Sequence, residues 1–208
     1  MKLRSTAILG ALGTLFLSCA PPVGTNFKRS ALIDLKLGIT SKSEFVEKIG
    51  PSGNESIMSI TKDSSGNPIQ STLIVSVIKY YYRDSSLEAV GKNITANKIA
   101  TAYFSNDRLL AYTSQSNFKS DSSDFDYKLA EKIVREKSTK QEVLNLLGPP
   151  SGAGLYPFAK EQNGYVLFYS FSFLSDSNRQ WLEKTMAIDF QGNGTVCDIK
   201  LNMKQSPK

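Results

Sequence analysis

The 208-residue chain contains no histidine. This removes every His-dependent catalytic triad, imidazole acid–base chemistry near neutral pH and histidine ligation of metals. Cysteine is almost as scarce, with Cys19 and Cys197 the only two. Cys197 lies in 195–203, where Cys197, Ile199, Leu201 and Met203 alternate with Asp198, Lys200 and Asn202. That pattern makes it a small core hydrophobe rather than a reactive thiol. Long apolar runs are also missing. The one from Ala7 to Leu17 is about half of the roughly 20 residues a membrane-spanning helix needs, and nothing later is long and apolar enough to span. Charge is modest. The net charge is +6, and removing Lys2 and Arg4 leaves +4, spread without a cluster. Dedicated nucleic-acid binding needs a basic stripe, which is absent. Contact with anionic lipid or peptidoglycan is permitted but not required.

What is present begins at the N-terminus. Met1-Lys2-Leu3-Arg4 is basic, Ala7 to Leu17 is apolar, and Ser18-Cys19 follows. This is the order of a secretory signal. The run Leu15-Phe16-Leu17-Ser18-Cys19 resembles the bacterial lipobox. The resemblance implies cleavage before Cys19, acylation of its thiol, and, with Ala20 rather than Asp next, an outer-membrane anchor facing the periplasm. With Cys19 acylated, no intramolecular disulfide is possible. A multiply acylated cysteine holds firmly, since each buried methylene contributes about 0.8 kcal/mol.

A second feature organises the rest. Residues 41–51, SKSEFVEKIGP, return 98 positions later as 139–149, TKQEVLNLLGP. Lys42/Lys140, Glu44/Glu142, Gly50/Gly148 and Pro51/Pro149 are identical. Each copy predicts a short helix with a Ser or Thr N-cap, a Glu closing a capping box, an apolar stripe, a Gly end cap and a Pro stop. Around them, 30–37 and 127–137 predict preceding helices, and 50–67 and 148–154 predict loops. Segment 71–82 predicts a strand, and 99–104 with 109–114 a hairpin. Segments 165–173, 181–190 and 195–203 predict three more strands, with turns at 176–179 and 191–194. The segment 83–97 has no clear assignment. The fold expected is therefore α+β: two tandem two-layer units, each with two short helices packed on a three-stranded antiparallel sheet. The expected layout is a signal peptide 1–18, a Pro/Gly tether 19–29, a first unit 30–114, a Ser/Asp-rich linker 115–126 with little to bury, a second unit 127–204 and a tail 205–208.

Leu37-Gly38-Ile39-Thr40, then Glu44-Phe45 and Ile49-Gly50-Pro51, are similar to the recurring run of the BamE/SmpA outer-membrane lipoproteins. Leu144 to Pro150 carries the second part again, although Glu136 and Lys137 stand where Gly38 and Ile39 do. The tandem arrangement resembles the β-lactamase-inhibitor-protein-like fold. The resemblance implies non-enzymatic work: scaffolding in outer-membrane assembly, or alternatively inhibition of a secreted or periplasmic hydrolase. The motif is set by caps and core, and carries little functional information by itself.

The candidate contact residues are aromatic and basic. Tyr80, Tyr82 and Arg83 form a cluster with Lys79 and Tyr81, and on a strand Tyr80 and Tyr82 share a face. That pair is a protein-binding hot spot if its face is open, or core packing if it lies under the helices. Trp181 reads equally as a partner anchor or a lid on the core. GPPSGAG at 148–154 lacks the Gly-Lys-Ser/Thr of a phosphate loop and follows a helix instead of preceding one. Asp121, Asp124 and Asp126 lack calcium-loop spacing. No catalytic residue, metal ligand or cofactor site is assigned. The partners expected are an envelope protein and the membrane, through lipid on Cys19, and not nucleic acid. A cell-wall or lipid-associated enzyme would need a pocket of converging polar groups, and no motif supplies one.

Overall fold

In a computed structural model of the protein, residues 21–51, 54–91, 94–175 and 180–206 are described. The signal peptide 1–18, Cys19 and the turn 176–179 lie outside them. Among the described residues no helix is long and apolar enough to cross a membrane.

The repeated stretch forms the two principal helices, α2 (Lys42–Ile49) and α3 (Lys140–Leu147). Both capping boxes are closed. Glu44 N donates to Ser41 Oγ at 3.2 Å, and Ser41 N donates to Glu44 Oε2 at 2.7 Å. Glu142 N to Thr139 Oγ1 is 3.3 Å, and Thr139 N to Glu142 Oε2 is 2.7 Å. The backbone bond received from the cap residue, more than anything else, holds each Glu carboxyl below its usual range. Gly50 and Gly148 end the helices at φ 108° and 76°, where a side chain would be strained. Each helix end is then tied to the sheet. The Tyr80 hydroxyl donates to the Gly50 carbonyl at 2.8 Å, and the Tyr169 hydroxyl to that of Gly148 at 3.1 Å.

The helices expected before them are cut short. α1 covers only Ser30–Ile33, and Tyr127–Lys132 is a 3-10 turn. A helix of two turns is marginal, and here strands offer better partners. Gly38 N donates to Leu109 O, and Glu136 N to Val196 O, both at 2.7 Å. Lys36 N to Thr40 Oγ1 and Val134 N to Ser138 Oγ, both 3.0 Å, close the two bends in the same way. Glu136 at φ 61° therefore copies the backbone of Gly38 at φ 73°, so the repeat departs in sequence but not in conformation. The left-handed region costs a side-chain-bearing residue about 1–2 kcal/mol, against about 0.5–1 kcal/mol of extra chain entropy lost by glycine. Glu136→Gly is expected to stabilise the protein by up to about 1 kcal/mol, a rise of roughly 2–4 °C in unfolding temperature. A calorimetric scan checks this, and a fall in that temperature would contradict the shared bend.

The strands are β1 (Val23–Gly24), β2 (Asn54–Lys62), β3 (Pro68–Asp84), β4 (Ala96–Ser105), β5 (Arg108–Ser116), β6 (Gly152–Leu155), β7 (Tyr165–Leu174), β8 (Trp181–Phe190) and β9 (Val196–Gln205). The two predicted meanders are present as β3-β4-β5 and β7-β8-β9. They are not two units, however, and the expected α+β pair of two-layer sandwiches is corrected. All nine strands form one open, antiparallel sheet in the order β1-β3-β4-β5-β6-β7-β8-β9, with β2 also on β3. The protein is mostly β, with few short helices.

The join is β6, which lies in the segment expected to be a loop. Ala111, Tyr112 and Thr113 of β5 pair with Gly154, Ala153 and Gly152, and β6 pairs on its other side with β7. Glycine makes this possible. A Cβ at position 152 would sit 2.2 Å from the Tyr112 carbonyl oxygen. β2 is the other strand missed, in the supposed loop 50–67. Most of its residues are polar because it is an exposed edge. The turn after it is an Asx turn, in which Asp63 Oδ1 accepts from Ser65 N at 2.8 Å and Asn67 N at 2.9 Å.

The helices cover one face of the sheet. Phe45 and Val143, at equivalent helix positions, are both fully buried there. Two lysines share that core. Lys98 and Lys184 stand six residues before Phe104 and Phe190 in β4 and β8, and are 6% and 8% exposed. The segment 115–126, expected to have little to bury, closes over both. Its Phe118 and Phe125 are buried, and its Asp121 and Asp124 pair with Lys98 and Lys184 respectively. Lys98 Nζ also lies 5.1–5.5 Å from the ring centroids of Phe27, Tyr82 and Phe118. Lys184 Nζ lies 5.3 Å from those of Phe125 and Phe171, and donates to Phe125 O at 2.9 Å. A buried ammonium persists only when paired and hydrogen-bonded in this way. Burial still lowers the pKa of Lys98, against the opposing pull of Asp121.

Candidate binding face

Alternate residues of a strand point to opposite faces, so the parity of β3 decides which tyrosines are available. Tyr80 and Tyr82 point into the core and are 1% and 7% exposed. Burial raises the pKa of both hydroxyls, aided at Tyr82 by Asp84, whose Oδ2 accepts from the Tyr82 hydroxyl at 3.0 Å. As surface candidates these two are corrected: they are structural. Tyr81 is the exposed tyrosine, at 43%, and Lys79 and Arg83 flank it on the same face. The sequence carried this signal, since the two charged residues share the parity of Tyr81 and mark the solvent side.

The open face has a continuous row of side chains from one end of the sheet to the other. Tyr81 stands opposite Ile99, also 43% exposed, and Ile99 opposite Gln115. The row crosses the join through a hydrogen bond between Gln115 Nε2 and Ser172 Oγ. Ser172 stands opposite Glu183, and Glu183 opposite Lys204. Trp181, 38% exposed, pairs with the exposed Leu174 at the far end of β8. It is a partly covered edge residue and is remote in the row from Tyr81 and Arg83, so the predicted candidates do not form one cluster.

Part of the face is covered by the chain itself. In the β6–β7 connection, the Phe158 ring lies 4.8 Å from that of Tyr103, and Lys160 N donates to Asp189 Oδ1 at 2.8 Å. The β2–β3 turn reaches the same region, where Ser64 N donates to Pro157 O at 2.9 Å and Ser64 O accepts from Lys200 Nζ at 3.0 Å. These contacts bury one end of the face and leave the end carrying Tyr81, Ile99, Lys79 and Arg83 open. An aromatic ring and an aliphatic side chain on a hydrogen-bonded sheet, bordered by two cations, can be desolvated by a partner with little loss of conformational freedom.

The remaining chemistry-bearing groups are quiet. Cys197 is half-buried and its thiol is pushed up by burial, which disfavours the thiolate. Among the described residues no group of three Cys, Asp or Glu side chains is placed to hold a metal ion. Compared with protein-family models, curated proteins and solved structures, the chain matches none of them.

Proposed function

We propose that this protein is a non-enzymatic bacterial lipoprotein, anchored in the outer membrane by acylated Cys19 and facing the periplasm, that binds another envelope protein through the open end of its sheet. The observation that carries this reading is the Tyr81–Ile99 pair. It is a large apolar contact left exposed on a rigid sheet whose opposite face is already buried, and Lys79 and Arg83 beside it favour an acidic partner surface. The lipobox-like run and the resemblance to BamE/SmpA lipoproteins at 37–51 support the envelope setting and a scaffolding role in outer-membrane assembly.

The test places a photo-crosslinking amino acid at position 81 and, in a separate variant, at Glu131, an exposed residue of the 3-10 turn on the helix side. Crosslinking in intact cells is expected to yield an outer-membrane assembly component from position 81 and not from position 131. Tyr81→Ala is expected to weaken that complex by at least about thirtyfold, the equivalent of roughly 2 kcal/mol, without changing thermal unfolding. Equal crosslinking from both positions, or from neither, would overturn the assignment of the face. Recovery of one soluble hydrolase instead would replace the scaffold by an inhibitor.

A further inference from the structure

The helix side of the sheet holds a groove that the partner-binding reading does not use. Its floor is the join itself, made by Tyr112 of β5, Ala153 of β6, and Tyr165 and Leu167 of β7. One wall is the bend after α1, with Leu35 and Leu37, and the other is α3, with Leu144. The volume is about 670 Å³, within the range of about 300–1,000 Å³ typical of small-molecule sites. Lys36 and Lys140, one from each wall, are the only charged side chains lining it among the described residues. Among the described residues neither takes part in an ion pair, and Lys140 Nζ lies 5.1 Å from the Tyr165 ring centroid.

We propose that this groove binds a single-chain anionic amphiphile of the fatty-acid class, with the acyl chain along the apolar floor and the carboxylate between Lys36 and Lys140. The size and apolar lining fit the chain, and two cations without an acid between them fit the head. Behind the floor lies Arg29, 7% exposed, whose Nε stands 3.7 Å from Asp121 Oδ1 and whose Nη1 lacks a hydrogen-bond partner among the described residues. Arg29 and Asp34 are both within electrostatic reach of Tyr112, with opposite signs. Burial pushes the Tyr112 hydroxyl up to about 12, so it stays a neutral donor beside the ligand. The site arises only because the two halves share one sheet: each half supplies one wall and part of the floor. It is independent of the Tyr81 face, which lies on the other side.

The test uses the full chain carrying Cys19→Ser, which removes the acylation site without touching the described residues, and dansyl-labelled undecanoic acid as the fluorescent probe. Laurate is expected to displace the probe saturably, and at least about tenfold more strongly than dodecanol, as a charge-assisted head contact requires. Combining Lys36→Gln with Lys140→Gln is expected to erase that preference while leaving displacement by dodecanol unchanged. Leu144→Trp is expected to abolish displacement by both. The lysine variant, altered only at exposed positions, keeps the proposal testable if the tryptophan variant does not fold. Absence of saturable displacement, equal displacement by laurate and dodecanol, or a preference surviving the double substitution would each overturn it. So would displacement by phosphatidylglycerol vesicles but not by laurate, which would indicate a lipid surface as the ligand.

Discussion

Gly152→Ala is expected to destabilise the protein by about 3 kcal/mol or more, the upper end of what one added methyl usually costs. The added Cβ would lie 2.2 Å from the Tyr112 carbonyl oxygen and 2.8 Å from the Thr113 Cα. Both are backbone atoms of β5, so no side chain can rotate away and the strands themselves must separate. Separation would break the contacts that hold the halves together at this point. Ser114 N and Ser114 Oγ both donate to the Ser151 carbonyl, at 2.6 and 2.7 Å, and Ser170 N donates to Ser151 Oγ at 2.9 Å. Gly194→Ala provides the control. Gly194 sits at φ 84° with nothing near its missing Cβ, so that substitution reports backbone strain alone, about 1 kcal/mol. Urea unfolding of the two variants separates the effects. If Gly152→Ala costs no more than Gly194→Ala, β5 and β6 are not in close contact and the single sheet is wrong.

Phe45→Ala is expected to cost about 3–5 kcal/mol, the usual loss for truncating a fully buried phenylalanine. The Phe45 ring is fully buried, 6.0 Å from the ring of Tyr80 and 5.3 Å from that of Phe104. It joins α2 to β3 and β4, and nothing nearby is free to fill the gap, because Tyr80 is held by its bond to Gly50 and Phe104 by the β4–β5 pairing. Against a total stability of about 5–15 kcal/mol for a typical protein, the loss is large enough to lower the yield of folded chain. Phe45→Leu keeps an apolar body at the site and is expected to recover much of it. Denaturant titration distinguishes the cases, and a loss below about 1 kcal/mol for Phe45→Ala would mean that α2 does not dock where described.

The candidate face was partly legible before folding. Tyr81 belonged to the cluster that stood out, and the parity of Lys79 and Arg83 pointed to its side of the strand. Of the two readings open for Tyr80 and Tyr82, exposed pair or core packing, the second holds. The sequence could not choose, because two hydroxyls with a definite task look the same there as two hydroxyls in water. Their task becomes visible only when Gly50 and Asp84 are beside them. The acids of 115–126 were hidden for a similar reason. Asp121 and Asp124 resemble linker residues until Lys98 and Lys184, on strands far along the chain, are seen to need carboxylates. The groove was not legible at all, since its walls come from the two halves of the chain and its floor is assembled where the unpredicted strand β6 joins β5 to β7.

Local chemistry set the two capped helices, their glycine ends, the β4–β5 turn and the six long meander strands. Each depends on neighbours within a few residues: a hydroxyl and a carboxylate three apart, a positive φ, an alternation of period two. The bend at Glu136, where the repeat departs in sequence, is not set locally: like the bend at Gly38, it is fixed by a backbone hydrogen bond to a distant strand residue, Val196 for Glu136 and Leu109 for Gly38. What only the tertiary structure decided is whether the two halves stand apart or merge. That choice rests on Gly152 and Gly154 lying close to β5 and β7, a pairing of two patterned strands through a segment, β6, with no pattern of its own. A short glycine-rich strand has no amphipathic alternation to announce it. Its stability comes from the backbone hydrogen bonds on its two sides, and those exist only once β5 and β7 are in place.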